Sequence, residues 1–248
     1  MKTIITFLML CSLAFAQGMG GKAGFGGKAG FGGGATAVAV TVTKIGVCGT
    51  SFTASCSITD TPGTALGHGI VIFDATSAST STFTVTNSGT SNTYQTDIAN
   101  FLSNSNTISV MSGYVLHAIS ASGTITISAS NGGSEDHAYV AYDVSLFASS
   151  SWLDQSATSA TAFGTAWTSG TTSATTNAAD VVFVGYCVSS TNTISYTGGW
   201  TALDTALHTE NRYLFTAWLP TVSTGAQSET ATAGSADNPA SLIVAYKQ

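Results

Sequence analysis

From residue 37 to the C-terminus the chain is a succession of short apolar runs, and their period restricts the fold more than any other feature. Val38, Val40 and Val42 alternate with Ala37, Ala39 and Thr41, the period of two expected of a strand with one buried face. Comparable runs rich in β-branched and aromatic residues recur at 68–75 (HGIVIFDA), 82–86 (TFTVT), 107–119 (TISVMSGYVLHAI), 123–129 (GTITISA), 137–147, 181–188 (VVFVGYCV), 212–219 and 240–246. Clusters of Ser, Thr, Asn and Gly, the residues that turns require, separate them. Past the first residues no stretch carries an apolar period of 3.6; the nearest, 94–102 (YQTDIANFL), makes one helical turn or a strand. The pattern predicts an all-β chain: a two-sheet antiparallel β-sandwich of jelly-roll type, occupying 36–248 as a single domain. No long repeat is visible in the sequence, which argues against a solenoid.

Charged residues are only 7% of the chain, against about 25% in an average soluble domain. Ser, Thr, Gly and Ala stand where Lys and Glu usually do, so the surface is polar but nearly uncharged. With a net charge of −6 and six basic residues, the chain is a poor match for a phosphate backbone, and a nucleic-acid partner is not expected.

Residues 1–16 read as a secretory signal peptide: Lys2, an apolar run from Ile4 to Phe15, and Ala14-Phe15-Ala16 ahead of Gln17. The run is shorter than the ~20 residues that span a bilayer, and no later segment is apolar enough to do so. The expected location is therefore secreted, extracellular or at the cell surface. A glycine-rich stretch, 17–35, follows, with GKAGFG at 21–26 repeated at 27–32. Glycine this dense loses too much backbone entropy to be held in a core, so this arm is expected to be a flexible linker. It lacks the GK[ST] of a phosphate loop.

Cleavage of the leader would leave Cys48, Cys56 and Cys187. In an exported chain the closely spaced Cys48 and Cys56 are expected to pair, closing a loop that stabilises by roughly 2–3 kcal/mol. Cys187, inside VVFVGYCV, reads as a small buried hydrophobe.

Chemistry-bearing residues are sparse. Asp74, Asp143, Asp154, Asp204 and Glu210 are the carboxylates near strands or turns, but none lies in a run that would set an acid pair on one strand face, as a glycan-cleaving site needs. Asp154 and Asp204 are expected to hold strand-end turns. The densest polar loop, 131–137 (NGGSEDH), lacks an EF-hand or GGxGxD spacing and reads first as a solvated hairpin turn; Asn131, Glu135 and Asp136 there are the candidate ligands should calcium be bound. His68, His117, His137 and His208 have no zinc spacing, and no G-x-S-x-G is present. Trp152, Trp167 and Trp200 lie in polar surroundings (SSSWLDQ, GTAWTSG, TGGWTAL). An aromatic ring exposed there would stack on a sugar, and with Tyr94 and Tyr196 these three are the candidate ligand-binding residues.

Several segments are similar to a β-sandwich module that recurs in secreted and surface proteins of environmental bacteria and in phage tail-associated proteins. They are 84–94 (TVTNSGTSNTY), 142–155 (YDVSLFASSSWLDQ), 171–184 (TTSATTNAADVVFV), 197–204 (TGGWTALD) and 240–247 (ASLIVAYK). Asp143 stands where that module has Glu, and Leu146 where it has Gly after Ser145. The resemblance implies a jelly-roll or concanavalin-like sandwich, a fold that hosts carbohydrate binding, adhesion and some polysaccharide cleavage. The resulting expectation is a non-enzymatic exported sandwich binding a glycan or other surface polymer. The alternatives are a structural or filament-forming module that self-assembles by strand addition, and a polysaccharide hydrolase or lyase.

Overall fold

The computed structural model describes residues 39–50, 55–77, 82–129, 136–208, 212–220 and 224–248. The expected leader, the glycine-rich arm, Asn131, Glu135 and Glu210 lie outside them. The described residues from Ala39 onward belong to one compact unit of sixteen strands and no helix.

Eight strands come first: β1 (Val42–Thr50), β2 (Ser55–Asp60), β3 (Gly69–Thr76), β4 (Phe83–Asn87), β5 (Thr93–Ser103), β6 (Asn106–Tyr114), β7 (Gly123–Ala129) and β8 (His137–Val144). They form a large sheet in the order β1-β8-β3-β6-β5 and a small one, β2-β7-β4. The other eight are β9 (Leu153–Ala160), β10 (Gly164–Thr171), β11 (Val181–Val188), β12 (Ile194–Ser195), β13 (Thr201–His208), β14 (Tyr213–Pro220), β15 (Ser228–Asp237) and β16 (Ala240–Tyr246). Their sheets run β9-β16-β11-β14-β13 and β10-β15-β12. Adding eight to each strand number of the first pair of sheets reproduces the second pair in full. All ladders are antiparallel, and the order is that of a jelly roll. The expected sandwich is present twice.

Register confirms that the halves are repeats. Val71 lies opposite Tyr142 and Phe73 opposite Val140; Val181 lies opposite Tyr246 and Phe183 opposite Val244. The β1/β8 ladder skips Ile45, between Lys44 opposite Tyr142 and Gly46 opposite Ala141. The β9/β16 ladder skips Asp154 at the matching place, between Leu153 opposite Tyr246 and Gln155 opposite Ala245.

Three apolar cores separate four layers. The middle one joins the two large sheets, with Val71, Phe73, Val140 and Tyr142 facing Phe183, Leu242, Val244 and Tyr246. A second core fills the first repeat between its large and small sheets, around Ile70, Ile72, Ile125, Ile127 and Tyr139. The third does the same for the second repeat, around Trp167, Val184, Tyr186 and Phe215. The large sheets are therefore covered on both faces, and β3, β11 and β16 are buried at every residue. Burial on both faces is why these strands read as unbroken apolar runs, whereas β4, with one face outward, alternates.

Polar ties close the seam between the repeats. On the β1/β13 side the Lys44 ammonium sits 2.6 Å from an Asp204 carboxylate oxygen. On the β5/β9 side the Asp97 carboxylate accepts from Tyr246 Oη (2.6 Å) and Ser112 Oγ (2.5 Å), and the Trp152 indole donates to Ser112 Oγ (2.8 Å). The Cys48–Cys56 disulfide ties β1 to β2, with the Cα atoms 6.2 Å apart. Cys187 is free and buried, as its strand context predicts. Burial pushes its thiol up to about 12, far from the reactive range. Gly69 is required by packing: a Cβ there would run into the Phe147 ring that lies over it.

Candidate functional site

The first small sheet presents the most regular surface. Period two sends Ile58, Phe83, Val85, Ile125 and Ile127 inward and leaves a hydroxyl side chain at each alternate position. Ser55, Ser128 and Thr84 form one cross-strand row, Ser57, Thr126 and Thr86 a second, and Thr59 with Thr124 a third. Rows repeat at about 6.8 Å along the strands and about 4.8 Å across them. The Ser57 and Thr126 hydroxyls are 3.0 Å apart. The strands carry a single charged residue, Asp60, which is buried. It turns inward and accepts from Gly63 N, Thr64 N and Thr64 Oγ1 at 2.8–3.0 Å, fixing the following loop. The outer face of the second small sheet is alike, with Thr168 opposite Thr230 and Ala166, Thr232 and Ser195 in a row.

The five aromatic candidates do not assemble into one platform. Trp167 is fully buried, its ring centroid 6.1 Å from those of Tyr186 and Phe215 and its indole N–H donating to Gly164 O (2.9 Å). It cannot stack on a ligand. Its sequence neighbours Ala166 and Thr168 are outward positions of β10, and Trp167 is the inward one. Trp152 is half-buried at the seam against Phe147 (6.1 Å), so Trp152 and Trp167 serve different cores rather than two sides of one surface. Tyr94 is half-buried against the core of the first repeat, across from Gly113. Tyr196 and Trp200 are both half-buried and pack on the third core, Tyr196 with its ring centroid 6.4 Å from that of Tyr186.

Beneath them lies Glu229, which sequence reading missed. It is 3% exposed and accepts from Thr197 N (2.8 Å) and Thr197 Oγ1 (3.4 and 3.3 Å). Burial raises its carboxyl, against the opposing effect of hydrogen bonds from Thr197 and Trp200. The signal was present: in SETATA, Glu229 occupies the inward phase shared with Ala231 and Ala233.

The remaining carboxylates are structural ties, and most are screened. Asp74 pairs with His137 at 3.0 Å with both side chains fully buried, and burial raises Asp74 even though His137 opposes it. Asp143 pairs with His68 at 2.7 Å. Asp204 holds Lys44 instead of a local turn. Asp154 accepts from Thr176 N and Oγ1, both at 2.6 Å, so it too ties distant segments rather than its own turn. Its neighbour Asp180 is 1% exposed. Burial, the hydrogen bond to Asp154 and its charge push Asp180 up to about 8. Burial works to raise Asp154 as well, but Thr176, Asp180 and Lys247 outweigh it and leave its carboxyl low. The pair has no counterpart in the first repeat, where the register puts Ile45 and Ile70, both buried in the core, at the equivalent places. Of the calcium candidates, Asp136 is described and is buried. Among the described residues no group of three His, Cys, Asp or Glu is placed to hold a metal.

The fold and surface thus define an all-β protein of two stacked jelly-roll repeats with hydroxylated, uncharged outer sheets. Comparison with protein-family models, with curated proteins and with solved structures finds no match to the chain.

Proposed function

We propose that this protein is a non-enzymatic exported module that binds a neutral, hydroxyl-rich polymer, a polysaccharide of a cell surface or extracellular matrix, on the outer face of β2-β7-β4. The observation that carries this reading is the uncharged array of eight Ser and Thr side chains in cross-strand rows. A hydroxyl both donates and accepts, so such a face matches the hydroxyls of a sugar chain without demanding charge on the partner. Each hydrogen bond contributes only about 0.5–1.5 kcal/mol net, so useful affinity requires a repeating ligand that engages many at once. The leader-like residues 1–16 support export, and the disulfide fits an oxidising compartment. Tyr196 and Trp200 offer a second, smaller contact on the other repeat.

Depletion of the mature protein from solution by insoluble polysaccharides tests this. A Ser55→Lys/Thr86→Lys/Thr124→Lys variant, with one change per strand and each in a different cross-strand row so that no two lysines are directly opposite, should stay folded and lose binding at least tenfold. Absence of depletion by any neutral polysaccharide, or depletion equal for variant and parent, would count against the proposal.

A further inference from the structure

Three leucines stand out of the fold at one rim of the first large sheet. Leu66 is 66% exposed, Leu116 55% and Leu146 41%. They sit on the loops that leave the same end of three adjacent strands: Leu146 just after β8, Leu66 just before β3 and Leu116 just after β6, with the order β8-β3-β6. Backbone bonds hold two of these loops edge to edge, Gly67 N to Val115 O (3.0 Å) and Val115 N to His68 O (2.8 Å). Leu66 and Leu116 are therefore neighbours. Leu146 continues the row, two residues beyond the pairing of Val144 with Gly69.

Leu146 has a φ of +57°, the left-handed region that a leucine occupies only at a cost and that Gly or Asn adopts readily. The next residue, Phe147, is buried over Gly69, so the turn is needed, yet a leucine holds its strained position and points an aliphatic side chain at solvent. Ser122 and Ser151 in these loops are also left-handed, but Leu146 is the bulky apolar residue among them, and such an outlier motivates a functional hypothesis.

The loops 61–68 (TPGTALGH), 115–122 (VLHAISAS) and 145–151 (SLFASSS) contain no Lys, Arg, Asp or Glu. At their base the charged groups are paired or buried. Asp143 is paired with His68, and Asp60 is buried beneath Gly63 and Thr64, accepting from their N–H groups. Lys247, whose carbonyl accepts from Ala148 N, is paired with Asp154. His117 and Tyr114 are the other titratable side chains there. Three leucine tips expose far less area than the ~1,000 Å² a stable protein interface buries, and as protruding tips they offer no pocket for a partner's side chain. A hydrocarbon layer, by contrast, requires no shape match and favours aliphatic tips with no charge among them.

We infer that this rim is a site for shallow insertion into a neutral lipid surface, separate from the hydroxyl face of β2-β7-β4 and independent of the polymer-binding proposal. Loss of one leucine should lower partitioning about five- to tenfold, the effect of withdrawing a partly buried Leu from an apolar phase.

Co-sedimentation with phosphatidylcholine vesicles tests it. The mature protein should sediment with vesicles equally at low and high salt, and Leu66→Ser/Leu116→Ser/Leu146→Gly should abolish this. Leu146→Gly alone relieves the backbone, so it should fold at least as well as the parent and still lose five- to tenfold. The inference is overturned by any of four results: no sedimentation, sedimentation unchanged in the variants, binding that needs anionic lipid and vanishes in salt, or a rim-dependent dimer that ignores vesicles.

Discussion

At the scale of single residues, buried ionisable groups give the sharpest expectations. Asp180 is pushed up to about 8 when folded, whereas a free Asp titrates near ~3.9. Between those values the folded state holds a proton that the unfolded state has released. Stability contributed here is present at low pH and is lost as pH rises toward about 8. Asp180→Asn should remove that decline, so its melting temperature relative to the parent should rise steadily from pH 5 to pH 8; a constant difference would contradict the shared proton. The Asp74–His137 pair makes a different prediction. His137→Leu strands a buried carboxylate and should cost about 3–5 kcal/mol in urea unfolding, while replacing both partners with apolar residues should cost less than the sum of the single changes. Neither pair was legible in the sequence, because their members lie 26 and 63 positions apart and only strand pairing brings them together. The Cys48–Cys56 link was legible, since its short spacing in an exported-type chain leaves few alternatives.

At the scale of the element, the strands announce their layer by their pattern. TFTVT and TITIS alternate and belong to an outer sheet; VVFVGYCV and SLIVAY do not alternate and belong to inner sheets covered on both sides. The number of layers was therefore present in the sequence as a contrast between alternating and continuous runs, although the repeat itself was hidden. Matching strands share register and bulges but few side chains, for example Ile45 against Asp154. Trp167 shows how the neighbours of a residue mislead: its flanking residues are the outward phase of the strand whose inward phase it occupies. Trp167→Ala should cost about 3–5 kcal/mol, as for a large core aromatic, measured by denaturant unfolding. A loss below 1 kcal/mol would place the ring at the surface. Gly69→Ala should cost about 1–3 kcal/mol by forcing Phe147 off its seat, and Phe147→Ala in the same chain should cancel most of the added clash.

At the scale of the whole molecule, the two jelly rolls are joined by the largest apolar surfaces they own. Val71, Phe73, Val140 and Tyr142 of one repeat are buried only because Phe183, Leu242, Val244 and Tyr246 of the other cover them. Separating the repeats would bare two continuous apolar sheet faces, which an isolated domain does not tolerate. The seam thus turns two repeats into one cooperative unit, leaving the hydroxylated small sheets as its outward surfaces. Native-state hydrogen exchange in low denaturant tests this fusion most directly. The amides of β3 and β8 and those of β11 and β16 should converge on one free energy of opening, equal to that of global unfolding. Two separate isotherms, with one pair of strands opening while the other stays protected, would show that the repeats stand alone and contradict the account.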